Sequence, residues 1–135
     1  MSGWDSYIDN LIRHSKGDCD KACIIGLDGG AKWTTDGHAQ AFKISQQEAT
    51  VIAAVLSAGD FTPFQANGIT IEGVKYQFLR EDDGVVLGKK KDNGSVTLEK
   101  SDKAIVIGHT KDGGQPGNTN TAVNVIADWL KKSGM

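Results

Sequence analysis

ITIEGVKYQFLREDDGVVLGKKKDNGSVTLEKSDKAIVI, which runs from Ile69 to Ile107, decides the fold. Asp83-Gly84 and Asn93-Gly94 inside it, and Asn67-Gly68 just before it, are strong hairpin signals, because these residue types tolerate positive φ. Glu72-Gly73 is a weaker one. Between the turns lie β-prone runs at residues 69–71, 74–81, 85–91 and 95–100. Spacing this close predicts an antiparallel meander. Ala104-Ile105-Val106-Ile107 is a continuous apolar run, the pattern of a central strand covered on both faces.

Upstream, Ser45-Gln46-Gln47-Glu48 has the S-x-x-E form of a capping box. Val51, Ile52, Val55 and Leu56 then predict a buried helical stripe, ended by Gly59. Phe61 and Phe64, around Pro63, pin the following loop to the core. Residues 22–27 form the other continuous apolar run, a second strand covered on both faces. It ends at Asp28-Gly29-Gly30, and residues 32–35 return as a short strand. At the N-terminus Ser2 caps a helix whose stripe is Trp4, Ile8, Leu11 and Ile12, with Tyr7 at its edge. Asp5 in the first turn suits the helix dipole, and the helix stops near Gly17. Residues 112–117 form a loop, and residues 118–132 the last helix, on the stripe Ala122, Val123, Ile126 and Leu130. The reading is one domain spanning residues 1–135. Its class is α+β: a central antiparallel sheet with helices on both faces, an arrangement in which the two terminal helices can share a side.

Composition narrows the function. Net charge of -2 and a pI near 5.9 argue against nucleic-acid binding, which leaves a basic footprint. No apolar run approaches the roughly 20 residues of a membrane span. No apolar signal region opens the chain, so a cytoplasmic protein is expected. Cys19 and Cys23 read as two free thiols. Asn93-Gly94-Ser95 has the form of a glycosylation sequon but reads as a turn. His14, His38 and His109 are the only histidines, and none sits in a nucleophile–base motif. G-x-S-x-G, Walker A and H-E-x-x-H are absent. The expectation is a non-enzyme with no cofactor and no metal.

Two binding signals remain. Three tryptophans, Trp4, Trp33 and Trp129, include one near each end of the chain, where core positions are poor unless the termini dock. Tyr7 and Trp129 are offset by about 100° from Ile8 and Leu130. One reading is core filler. The other is a groove edged by indole N–H and phenol O–H donors, suited to a polyproline II ligand with its free carbonyls. The second signal is basic: Lys89-Lys90-Lys91 ends a strand, Lys75 and Arg80 lie on its hairpin partner, and Lys131 and Lys132 form a separate patch. These are either solvated lysines protecting a sheet edge or a site for an acidic protein or an anionic lipid headgroup.

The segments MSGWDSY (1–7), GGAKW (29–33), GVKYQFLR (73–80) and GKKK (88–91) together resemble profilin, of the short type found in non-vertebrate animals. The resemblance runs essentially end to end. It implies a central antiparallel sheet with the terminal helices on one face and smaller helices on the other. It also implies an actin-monomer-binding protein, a monomer or a 1:1 complex with actin, that regulates polymerisation and nucleotide exchange on actin. Proline-rich partners such as formins are implied to bind between the terminal helices, through Trp4, Tyr7, Trp33, Trp129 and Met135. Family members often carry tyrosine at the last of these positions. The implied actin face comprises Lys75, Gln77, Arg80, Lys89, Lys91, Gln115, Gly117, Asn120 and Thr121, the last standing where some relatives have lysine. Strict strand alternation puts Arg80 on the side opposite Lys75 and Gln77, so a bulge or strand end must re-aim it. Phosphatidylinositol bisphosphate is implied at Arg80, Lys89, Lys91, Lys131 and Lys132. The alternative function is a phosphoinositide and proline-rich-motif adaptor that binds actin weakly.

Overall fold

The structure is a computed structural model describing residues 4–135. The chain runs α1 (Asp5–His14), β1 (Cys19–Gly26), α2 (Gln46–Ala58), α3 (Thr62–Asn67), β2 (Ile69–Ile71), β3 (Val74–Asp82), β4 (Val85–Lys90), β5 (Gly94–Lys100), β6 (Ala104–Thr110) and α4 (Pro116–Lys132). The strands form one six-stranded sheet in the order β1-β6-β5-β4-β3-β2. Every named pairing is antiparallel.

Successive residues of the apolar runs point to opposite faces, and both faces are covered. Ile25, Ile105 and Ile107 enter a core with Ile52 and Leu56 of α2, Phe64 of α3, and Tyr76, Val86 and Leu98. Ile24 and Val106 enter the other core, with Ile8 and Leu11 of α1 and Val123, Ile126 and Leu130 of α4. Each such fully buried side chain contributes roughly 1.5–3 kcal/mol relative to exposure. The terminal helices therefore share one face of the sheet, and α2 and α3 cover the other. Gly108 lets α4 approach: a Cβ there would lie 2.9 Å from Val123 Cγ2 and 3.0 Å from Thr119 Cγ2.

The capping box is present at α2, where Ser45 Oγ accepts from the Glu48 N–H at 3.1 Å and Glu48 accepts from the Ser45 N–H at 3.0 Å. Glu48 also accepts from the N–H groups of Glu72 and Gly73, at 3.0 and 2.9 Å, so one carboxylate fastens α2 to the β2–β3 turn. Gly59 closes the helix in the left-handed conformation.

Several expectations are corrected. Asn67-Gly68 is not a hairpin: it ends α3, a short helix with proline in its first turn, where a loop was expected. Residues 32–35 form no strand, only an isolated bridge from Lys32 to Ile25. Strand β1 lies at an end of the sheet order and not at its centre. It is nonetheless buried, because residues 40–42 cover its outer edge. There the Ala22 N–H donates to the Gln40 carbonyl at 3.0 Å, and the Phe42 N–H to the Ala22 carbonyl at 2.8 Å. Val51 is 53% exposed; Ala49 and Ala53 fill the face of α2 that was assigned to it. Strand β4 stops at Lys90, which leaves Lys91 in the turn. The cap expected from Ser2 lies outside the described residues. Cys19 and Cys23 are free and buried, and burial pushes the Cys19 thiol up to about 12. Among the described residues no helix is long and apolar enough to cross a membrane, and no cluster of metal-ligating side chains occurs.

Candidate functional site

Helical spacing carries Trp4 and Tyr7 onto the edge of α1 beside its buried residues Ile8 and Leu11. Trp4 meets Trp33 at 4.7 Å between ring centroids and Tyr7 at 5.4 Å. All three rings pack on the terminal-helix core and stay partly exposed. Trp33 comes from the segment after β1, and two tethers hold that segment to α1. The Thr35 N–H and hydroxyl donate to the two Asp5 carboxylate oxygens, at 2.8 and 2.5 Å. His38 Nε2–H donates to Asp9 at 2.7 Å, with its Nδ1 accepting from the Gln40 N–H at 2.9 Å. Burial alone raises the Asp5 carboxyl, but the Thr35 bonds outweigh it and leave it below its ordinary value.

The C-terminus docks at the Trp33 end. Trp33 and Lys103 line one cavity. The Lys103 N–H donates to the Met135 carbonyl, and Ser101 Oγ–H donates to the same oxygen at 2.9 Å. Met135 packs on the same core as Trp4 and Trp33. Trp129 sits apart from that ring stack, edge-on to His14 at 5.5 Å. The sequence reading gave His14 no binding role. The signal that places it at the groove is its spacing of seven residues, about two turns, from Tyr7 on the same helix.

The basic residues gather on the face that carries the terminal helices, beyond α4. Gln77 pairs with Lys89, and paired residues share a face. The register shifts between Phe78 and Arg80, where Leu79 is the extra residue of a bulge. Arg80 consequently pairs with Leu87, two residues from Lys89 and on its side of the sheet. The bulge thus returns Arg80 to the face of Lys75, Gln77 and Lys89. Lys75, Gln77, Arg80, Lys89 and Lys91 are all exposed. Leu87 pairs onward to Thr97, and Thr97 bonds Asn120 of α4. That places the start of α4 about 10 Å, two strand spacings, from the Arg80 row. Gln115 and Gly117 there are exposed, and the Thr121 hydroxyl donates to the Gly117 carbonyl at 3.0 Å. Lys131 and Lys132 lie at the other end of the 17-residue α4, with Lys132 paired to Asp128 at 3.1 Å. They do not join Arg80, Lys89 and Lys91. Sequence reasoning passed over Leu79, which is 52% exposed beside Arg80 and puts an apolar side chain on the rim of the basic face.

The family model for profilin matches residues 2–135. The chain belongs to the profilin family. It is 58% identical to a profilin of Heliocidaris crassispina and 56% identical to one of Suberites domuncula, each alignment covering 98% of this chain and 99% of the relative. Among solved structures it resembles Acanthamoeba castellanii profilin II with a TM-score of 0.83 at 33% identity, covering 98% of this chain and all of that one. Mouse profilin IIa, solved in complex with a double repeat from the FH1 domain of mDia1, aligns with a TM-score of 0.75 at 26% identity over 98% of this chain and 99% of that one.

Proposed function

We propose that this chain binds actin monomers on its basic sheet face and proline-rich segments, such as those of formins, in its aromatic groove. Residues 1–135 act as a single profilin domain in the cytoplasm and at the cytoskeleton. The chain is non-enzymatic and needs no cofactor of its own: the nucleotide whose exchange it promotes is actin's. The observation that carries the reading is the Leu79 bulge, which gathers Arg80 with Lys75, Gln77 and Lys89 next to the start of α4. An acidic partner is attracted and oriented by such a face. Gln115, Gly117, Asn120 and Thr121 supply its uncharged contacts, and Lys91 extends it at the turn.

Trp4, Tyr7 and Trp33 stack on proline rings, while Trp129 and Met135 flank them from α4 and the C-terminus. The separation of the two faces lets one molecule hold an actin monomer and a proline-rich assembly factor together. A phosphatidylinositol bisphosphate headgroup uses Arg80, Lys89 and Lys91 and therefore competes with actin; Lys131 and Lys132 give a second, weaker contact with an anionic membrane surface.

The test is Lys89→Glu with Lys91→Glu. Actin sequestration should weaken about tenfold or more at low salt, and less at high salt where charges are screened. Proline-peptide affinity should not change. Normal sequestration by this variant would remove the basic face from the account.

A further inference from the structure

His109 on β6 is 5% exposed, and both of its ring nitrogens face oxygens that can only accept. Nδ1 lies 2.5 Å from the Asp20 carboxylate on β1. Nε2 lies 2.5 Å from the main-chain carbonyl of Asn93, in the turn between β4 and β5. A neutral imidazole carries one N–H and serves one of these acceptors; the imidazolium serves both. The Asp20 carboxylate, being charged, holds its proton more strongly than the amide carbonyl does. Loss of the second proton therefore costs the Asn93 bond and sets a nitrogen lone pair against the carbonyl oxygen.

The surroundings are charged. Facing the ring or lining the small cavity beside it are Asp20 and Lys21 of β1, Glu72 of the β2–β3 turn, Tyr76 of β3, Asp92 of the β4–β5 turn and Asp112 after β6. Lys21 is already paired with Glu72 at 2.9 Å, which leaves the carboxylates of Asp20, Asp92 and Asp112 around the ring. Phe42 and Tyr76 enclose the ring, at 5.4 and 5.9 Å between centroids. Burial works to raise the Asp20 carboxyl, yet the His109 bond and charge bring it below its ordinary value.

The turn that His109 grips is the one that carries the basic run. Lys89 and Lys90 end β4, Lys91 opens the turn, and Asn93 closes it. Gly94, at φ +80°, is pressed against β6 so closely that a Cβ there would clash with the Thr110 carbonyl. The base of the turn is thus fixed by packing, while Asn93 is joined to β6 through His109.

We propose that His109 is a positioning residue for the basic face: its doubly protonated ring ties Asn93 to β6, fixes Lys89 and Lys91 relative to Gln77 and Arg80, and makes binding of an acidic partner sensitive to the protonation of that ring. The binding half of this rests on the actin reading above; the structural half does not. Loss of the ring's second proton as the pH is raised releases the Asn93 bond, loosens the turn and weakens binding.

The free protein is followed by NMR over a range of pH, reading the His109 ring nitrogens and the backbone amides of residues 91–94. The expected result is one shared midpoint for ring and turn, with His109→Gln showing the high-pH turn signals at every pH. Turn amides that ignore the ring's titration overturn the proposal, and this readout on the unaltered chain decides the matter even if His109→Gln fails to fold. Actin affinity of the two proteins is then compared over the same range. The original chain should lead by about three- to tenfold at low pH, the worth of one hydrogen bond, with the lead vanishing at high pH and proline-peptide affinity equal throughout. A lead that is constant with pH contradicts the switch. Absence of actin binding at any pH overturns the actin reading and with it the binding half, leaving the NMR result to judge the turn.

Discussion

Arg80 shares a face with Gln77 and Lys89 because Leu79 takes the extra place in the bulge. Alternation exposed the conflict in the sequence, since a strict strand sends Arg80 to the wrong side. It could not say where the extra residue sits, because that depends on the pairing with β4, a contact between residues far apart in sequence. The groove poses the same problem. Trp4 and Tyr7 were legible from helical spacing, but the stacking of Trp33 on Trp4 depends on the tether between Asp5 and Thr35. Asp5→Asn should weaken proline-peptide binding a few-fold, roughly the net worth of one exposed hydrogen bond, as read by peptide titration. The pH dependence follows in sign. A carboxyl lowered by folding gives stability that is present above its unfolded value, 3.8, and is lost as pH falls through the lowered folded value. Peptide affinity of the unaltered chain should therefore fall in acid, and that of Asp5→Asn should fall less.

At the scale of elements, local chemistry was legible where a few adjacent residues settle the geometry. The S-x-x-E box at Ser45 and the Asp83-Gly84 hairpin are of this kind, the latter with positive φ at both residues. Asn67-Gly68 misled because the same dipeptide can close a helix as readily as turn a hairpin. Only the packing of Phe64 into the α2 and α3 core decides between them. Glu48 shows what sequence hides: a capping residue that also serves the β2–β3 turn, more than 20 residues away. Ser45→Ala should cost about 1 kcal/mol, the usual value of an N-cap. Glu48→Ala should cost about 1–2 kcal/mol more, because three backbone N–H groups lose their acceptor. Thermal unfolding checks the order, at about 3–4 °C per kcal/mol for a chain of this size. Equal losses would mean the link to the turn carries no stability.

For the whole molecule, two apolar cores on the two faces of one sheet let the sequence be read as α+β with little ambiguity. The doubly apolar runs around Ile24 and Ile105 require cover on both sides. What the runs could not reveal was that β1 lies at the end of the strand order, because a segment without regular structure covers its edge as well as a strand would. The docked termini build the aromatic groove, and the β3–β4 hairpin builds the basic face beyond α4. The proposed function gives one chain two separate binding faces. Its most direct test is a tryptophan-fluorescence titration with a ten-proline peptide on three proteins: the unaltered chain, Trp33→Ala, and Lys89→Glu with Lys91→Glu. The expected result is a saturable signal of equal affinity for the unaltered chain and the double lysine variant, and a loss of about tenfold or more for Trp33→Ala, the scale of a buried aromatic anchor. Equal affinity for all three, or a loss confined to the lysine variant, would contradict it.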